Sequence, residues 1–287
     1  MSTWYKTFQK DCLDWLRECT VKGIALTFVD PPFNQGKDYR FFNDAQPEEQ
    51  YWNWLKDILS QIHKITVEGG SLYFMQREKN TEQVLRAVRE AGWIFQNLII
   101  WKKKTSAVPS EFRFSKQYQF IAFATKGEKP IVFNKLRVDL PIPSDYKYER
   151  DNGVYLSDVW DDIRELTSGY FAGDEAIRDT KGRRVHTQQS PVALLLRIIL
   201  SSTLPGDTVL DPFAGTGTTL IVAHQLERNS IGIEIDPDYI KIIENRLKHP
   251  RDADNLSQYY KYYRYTLDLE KIWPGEKSII TKQRRLF

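Results

Sequence analysis

The stretch that decides the fold is Ile24-Ala25-Leu26-Thr27-Phe28-Val29-Asp30-Pro31-Pro32-Phe33. Six apolar or β-branched residues run without a break and then empty into a carboxylate, two prolines and an aromatic ring. That is the pattern of a fully buried parallel strand ending in a turn. The same pattern returns near the other end of the chain, where Thr208-Val209-Leu210 leads into Asp211-Pro212-Phe213-Ala214-Gly215-Thr216-Gly217-Thr218-Thr219. In open α/β sheets, chemistry gathers where such strands end.

Outward from these two stretches, apolar runs alternate with helical patterns in the manner of βαβ units. Strands are expected at 24–29, 71–76, 94–101, 118–124, 207–210 and 230–235. Helices are expected at 47–66, 81–91, 191–201, 218–227 and 237–247. Ser190 reads as the N-cap of the helix that Pro191 opens. Between Lys126 and Val185 the regularity gives way to Pro141, Pro143, Asn152-Gly153, Gly169, Gly173 and Lys181-Gly182, as in a loop-rich insert on a rigid scaffold.

The 287 residues suffice for one large core with an insert. No apolar stretch approaches the length of a membrane span, and the first residues lack a signal-peptide pattern, so a cytoplasmic protein is expected. Cys12 and Cys19 could not staple a fold of this size, and no Cys/His cluster has zinc spacing, so no metal is expected. The net charge of +3 excludes little, but its distribution is uneven. Residues 101–150 hold 11 Lys/Arg against 5 Asp/Glu, a balance of +6, which leaves −3 for the remainder. Lys102-Lys103-Lys104, Arg113 and Lys116 are interleaved there with Phe112, Phe114, Tyr118 and Phe120, a pattern suited to a polyanion or to a solvated charged face. Tyr259-Tyr260-Lys261-Tyr262-Tyr263-Arg264-Tyr265 could stack on bases or pack as an amphipathic strand, and the final Lys282-Gln283-Arg284-Arg285 stays open.

In the glycine loop, Gly215 and Gly217 let the backbone turn tightly and approach a ligand. No Gly-Lys-Ser/Thr follows, so it is no P-loop, and a full G-x-G-x-x-G is also absent. Ile231-Gly232-Ile233-Glu234-Ile235-Asp236 ends the next strand in acids, and a carboxylate there can accept both ribose hydroxyls of a nucleoside. Asp236-Pro237 reads as a helix cap, which reserves the ligand role for Glu234.

Asp30-Pro31-Pro32-Phe33 and the Phe213–Gly217 loop together resemble the amino-methyltransferases of DNA, with their D/N/S-P-P-Y/F tetrapeptide and F-x-G-x-G loop. The tetrapeptide comes first, so the chain is similar to the circularly permuted β-group of that family. Asp11-Cys12-Leu13-Asp14-Trp15-Leu16, Gly69–Phe74, Asp158–Asp161 and His186–Pro191 extend the resemblance nearly from end to end. The resemblance implies an α/β fold: a Rossmann-like, S-adenosylmethionine-dependent methyltransferase sheet with helices on both faces, permuted motif order and a loop-rich target-recognition insert. The expected division is a catalytic half at 1–125, the insert at 126–185, a cofactor half at 186–250 and a basic, aromatic extension at 251–287.

The resemblance also implies roles. Asp30, Pro31, Pro32 and Phe33 would be catalytic. The Asp30 carboxylate and the Pro31 carbonyl would hold the amine's N–H bonds as positive charge develops, and Phe33 would stack on a base taken out of the duplex. The two prolines stiffen that turn and remove competing donors. For S-adenosyl-L-methionine, Glu234 would take the ribose, with Asp211, Phe213, Gly215 and Gly217 around the methionine end. Gln189 and Ser190 would lie by its carboxylate, where relatives often carry Gln-Lys-Pro. Asp11 would lie at the adenine end, or simply cap a helix. Lys116-Gln117-Tyr118 departs from the His-Glu-Tyr common in relatives, while Asn34 matches an asparagine often found after the tetrapeptide. The aspartate head favours adenine N6, with cytosine N4 as the alternative and a non-catalytic DNA-binding subunit as the reading from another class. Implied partners are double-stranded DNA, a second copy of the chain in a homodimer, and a cognate restriction endonuclease.

Overall fold

The computed structural model describes residues 3–105, 108, 109, 111–139, 152–166, 173–186 and 188–274. Its strands are β1 (Tyr5–Gln9), β2 (Ile24–Val29), β3 (Asp38–Tyr39), β4 (Phe42–Asn43), β5 (Thr66–Gln76), β6 (Ile94–Lys102), β7 (Tyr118–Thr125), β8 (Arg137–Val138), β9 (Val154–Tyr155), β10 (Val159–Trp160), β11 (Thr208–Asp211) and β12 (Asn229–Glu234). Eight of them form one sheet in the order β1-β12-β11-β2-β5-β7-β6-β10. β7 runs antiparallel to both its neighbours, while every other pair in this sheet is parallel.

The decisive pairing is β2 with β11, which sets Leu26 beside Val209 and Thr27 beside Leu210. β2 is buried throughout and β11 from Val209 on, each around an apolar run. From β2 the chain crosses by helix α2 (Glu48–Ile65) to β5 on one side, and from β11 it crosses by α5 (Thr218–Gln225) to β12 on the other. The crevice between the carboxyl ends of β2 and β11 is therefore a topological switch point.

The periodicity of α2 places Tyr51, Leu55, Ile58, Leu59, Ile62 and Ile65 on one buried stripe. With α1 (Cys12–Glu18) and α3 (Thr81–Glu90) it covers one face of the sheet. The opposite face is covered by α4 (Val192–Ser202) and α5, joined by α7 (Tyr260–Tyr263) and α8 (Leu269–Ile272). In α4 every residue but Ala193 is buried, down to Arg197, whose guanidinium meets Asp162 and the Tyr263 hydroxyl. Helix α6 (Pro237–Lys248) closes the β12 end against α5.

Three expectations are corrected. β1 was not foreseen, because Tyr5-Lys6-Thr7-Phe8-Gln9 lacks a continuous apolar run; it pairs with β12 at the sheet edge. Ser190 does not cap α4: the N-cap residue is Pro191, and the first-turn amide of Val192 donates to the Glu175 carboxylate instead. The 259–265 segment is helical at α7 rather than a strand. Tyr259, Tyr260 and Tyr263 pack into the core with Trp273. Within the insert, β8 pairs with β9 and β10 extends the main sheet beyond β6. Pro141, Pro143, Gly169 and Lys282–Arg285 lie outside the described residues.

Candidate active site

Asp30 follows β2, and Asp211 ends β11, so neighbouring strands deliver the two motifs to one cavity of about 420 Å3. That volume lies in the range of small-molecule sites, roughly 300–1,000 Å3. Asp11, Asp30, Pro31, Pro32, Phe33, Gln189, Ser190, Asp211, Phe213, Gly215 and Glu234 all line it. Gly217 does not. It enters α5 at φ +85°, and a Cβ there would come within 2.8 Å of Ile243 in α6, so this glycine serves helix packing.

The first motif is held rigidly. Asn34, also at positive φ, exchanges hydrogen bonds with Gln46 through both ends of its amide. Buried Asp44 accepts the backbone amides of Asn34, Gln35 and Lys37. These bonds close the loop that carries the β3–β4 hairpin, whose residues 38–42 form a wall of the cavity. Arg40 at the hairpin turn pairs with Asp238 in the first turn of α6 at 2.9 Å. The Pro32 carbonyl accepts from Tyr51, which in turn accepts from Gln76 at 3.0 Å. Among the described residues nothing donates to the Pro31 carbonyl.

The second motif is tied just as closely. Asp211 accepts from the Phe213 amide at 3.0 Å and from the Thr219 hydroxyl. Glu234 accepts the Gly215 amide at 2.8 Å and the Asp236 amide at 2.9 Å, which couples β12 to the glycine loop. Phe213 meets Trp54 edge-on at 5.7 Å. From α6, Arg246 donates to the Thr216 carbonyl and pairs with Asp254, and Asp254 also pairs with Arg251.

A third segment bridges the two. The Ser190 hydroxyl donates to Asp30 at 3.0 Å. Gln189 borders the cavity, but both ends of its amide are engaged with the insert's return, at the Ile177 amide and the Glu175 carbonyl. Asp11 caps α1 through the amides of Leu13 and Asp14, so its two readings coincide at one residue on the cavity wall.

Three carboxyl groups on the cavity are held away from water. Burial pushes the Asp30 carboxyl up to about 7, against the lowering bond from Ser190, with the nearby Asp211 charge adding to the rise. Burial likewise raises Asp211 to about 6 and Glu234 to about 7. Three carboxyls forced toward protonation by removal from water regain their charge when a positive group joins them. A sulfonium-bearing nucleoside with a ribose and an amino-acid end suits this donor set.

On the far side of Asp30 and Phe33 lies a second, smaller cavity of about 20 Å3, bordered by Met75, Trp101, Lys103, Gln119, Glu165 and Gln188. Burial lowers the Lys103 ammonium, and Glu165 accepts the Lys104 and Thr105 amides that follow it. Sequence reasoning did not single out Lys103 individually, nor Glu165, Gln119 or the hairpin. Isolated polar residues on short loops carry no periodic signal, although Asn43-Asp44 is a recognisable turn pair.

Comparison with known proteins now bears on this geometry. The family described as DNA methylase, covering the N6-adenine and N4-cytosine enzymes, matches residues 24–245. The chain belongs to that DNA methylase family. It is 31% identical over 254 residues to the DNA adenine methyltransferase YhdJ of Escherichia coli (strain K12), covering 83% of this chain and 80% of the relative. It is 30% identical over 237 residues to the type II methyltransferase M.HpaI of Haemophilus parainfluenzae, covering 81% and 70%. The fold is shared with the M1.HpyAVI–SAM complex (TM-score 0.58, 23% identity, 85% of this chain and 98% of the other). The cytosine-N4-specific PvuII DNA methyltransferase shares it too (TM-score 0.63, 18% identity, 91% and 92%).

Proposed function

We propose that this DNA methylase transfers a methyl group from S-adenosyl-L-methionine to the exocyclic N6 of an adenine flipped out of double-stranded DNA. The observation that carries the reading is the convergence of Asp30, Asp211 and Glu234 on one cavity, with the small cavity opening on the opposite side of Asp30.

The cofactor supplies an electrophilic methyl group. Glu234 binds the ribose hydroxyls through lone pairs left after it accepts the Gly215 and Asp236 amides. The glycine loop and Asp211 hold the amino-acid end, and Asp11 stands at the adenine end. Phe33 stacks on the target base. An adenine amine is a poor nucleophile because its lone pair is delocalised into the ring. The Asp30 carboxylate and the Pro31 carbonyl accept its two N–H bonds and favour the pyramidal nitrogen on which positive charge develops. Ser190 keeps Asp30 aimed, and much of the rate comes from placement.

The reading of the target as adenine is supported by the aspartate head of the tetrapeptide and by the adenine methyltransferase YhdJ among the relatives. M.HpaI is a type II methyltransferase, and by analogy a nuclease acting on the same site is the expected partner here. A homodimer acting on DNA in the cytoplasm completes the proposal. Labelled S-adenosylmethionine with unmethylated genomic DNA, digested to nucleosides and resolved by mass, tests it. N6-methyladenine is the expected product, and N4-methylcytosine would move the base while leaving the site intact.

A further inference from the structure

Between β6 and β7 the chain makes an excursion rooted at the rim of the small cavity. Lys103 donates its amide to the Gln117 carbonyl at 2.7 Å, closing the stem one pair beyond the sheet. Both stem strands border the base side of the site, through Trp101 and Lys103 on one and Gln119 on the other. Lys116 fixes the returning limb to Glu78 at 2.7 Å. At the far end stand Phe112 and Phe114, 86% and 98% exposed, with Arg113 between them.

Two phenyl rings almost wholly in water are costly, since burying a Phe side chain is worth about 1.5–3 kcal/mol. Among the described residues neither ring belongs to a core cluster or borders the cavities at Asp30. The excursion is cationic on balance, with Lys103, Lys104, Arg113 and Lys116 against Glu111, which suits a polyanionic partner. Four residues separate Phe114 from Gln119, a reach of at most about 18 Å. A base flipped out toward Asp30 leaves a gap in its duplex, and apolar side chains that enter base steps hold such gaps open.

We infer that the Phe112-Arg113-Phe114 turn enters the duplex, an aromatic ring occupying the space left by the flipped base and Arg113 bonding a flanking phosphate. The inference rests on the base-flipping reading above and deepens it by naming the side chains that stabilise the extruded state. It does not depend on which base is methylated.

The test uses the full chain and a short duplex carrying the site mapped from methylated genomic DNA. In one version the target base is paired, and in the other an abasic position stands opposite it. The double variant F112A/F114A is expected to lose tenfold or more in kcat/KM on the paired target and to recover to within about threefold of wild type opposite the abasic position. F114W is expected to retain activity on both. S-adenosylmethionine binding should be unchanged, because neither ring is part of the core. Equal losses on the two duplexes, or no loss on either, would overturn the inference. Cytosine as the wild-type product would correct the base and leave this comparison intact.

Discussion

At the scale of single residues, Asp30 is the group on which most depends, because it is placed to accept and not to donate. Asp30→Asn offers an amide in its place and removes the charge that faces a developing cation. Transfer should fall about 10²–10³-fold or more in kcat, with cofactor affinity, read by calorimetry, changed little. Glu234→Ala should act in the opposite proportion, weakening cofactor binding first, since it removes the ribose partner and frees the Gly215 amide. pH adds a second handle. Only the ionised Asp30 offsets the positive charge that develops on the amine, so kcat/KM should rise with pH and level off above about 7. Stability runs the other way. Asp30, Asp211 and Glu234 have folded-state values raised above their unfolded ones, so the folded state holds their protons more tightly. Their contribution is greatest below about pH 4 and is lost as pH rises through 6–7. Denaturant titrations of the cofactor-free protein should show that decline, and D30N should make it shallower.

At the scale of elements, the turn after α6 is a support for the glycine loop. Asp254 is fully buried between Arg246 and Arg251, and Arg246 reaches the Thr216 carbonyl. Asp254→Asn leaves a buried guanidinium without its charge partner, at a cost of about 3–5 kcal/mol in unfolding free energy. The variant should also bind cofactor less well, because the loop loses its anchor from behind. The hairpin latch is a contrasting case. The Arg40–Asp238 pair is exposed and screened by solvent, so Arg40→Ala should leave the Tm almost unmoved. Stopped-flow release of cofactor should nonetheless quicken, since the hairpin walls its cavity. The main strands and helices were legible in the sequence because long periodic or apolar runs report burial directly. β1 was not, since an edge strand needs only one buried face, and β10 was not, since two residues carry no period. The site was legible where a motif sits at a strand end, as with Asp30, Asp211 and Glu234. It was illegible where a residue's role is set by a distant partner. Ser190 reads as a cap and as a neighbour of the cofactor's carboxylate, and only the fold brings it within 3.0 Å of Asp30, which accepts from it.

At the scale of the whole molecule, the basic excursion and the apolar interior make separable predictions. DNA affinity should fall linearly on a log–log plot with salt, and Arg113→Ala should reduce the slope by about one phosphate contact. On the opposite side, Trp273 and Tyr263 pack α7 and α8 onto α4, and buried Arg228 ties the Ile272 carbonyl to the core. Trp273→Ala should cost about 3–5 kcal/mol, read as a shift in denaturation midpoint, with no change in salt slope. The residues that finish the core thus lie beyond 245, where the family match ends.

The pairing of β2 with β11 has a consequence in time. It joins the early and late parts of the chain, a contact of long sequence separation that is slow to form. Until that seam closes there is a half-site on each side and no receptor between them. The final step of maturation and the birth of the binding site are then one event. A ligand that bridges the seam would act as a clasp, drawing newly made chains toward the competent form by mass action. Refolding yield should therefore climb with S-adenosylmethionine concentration, and a cell short of the cofactor would hold fewer finished molecules as well as idler ones.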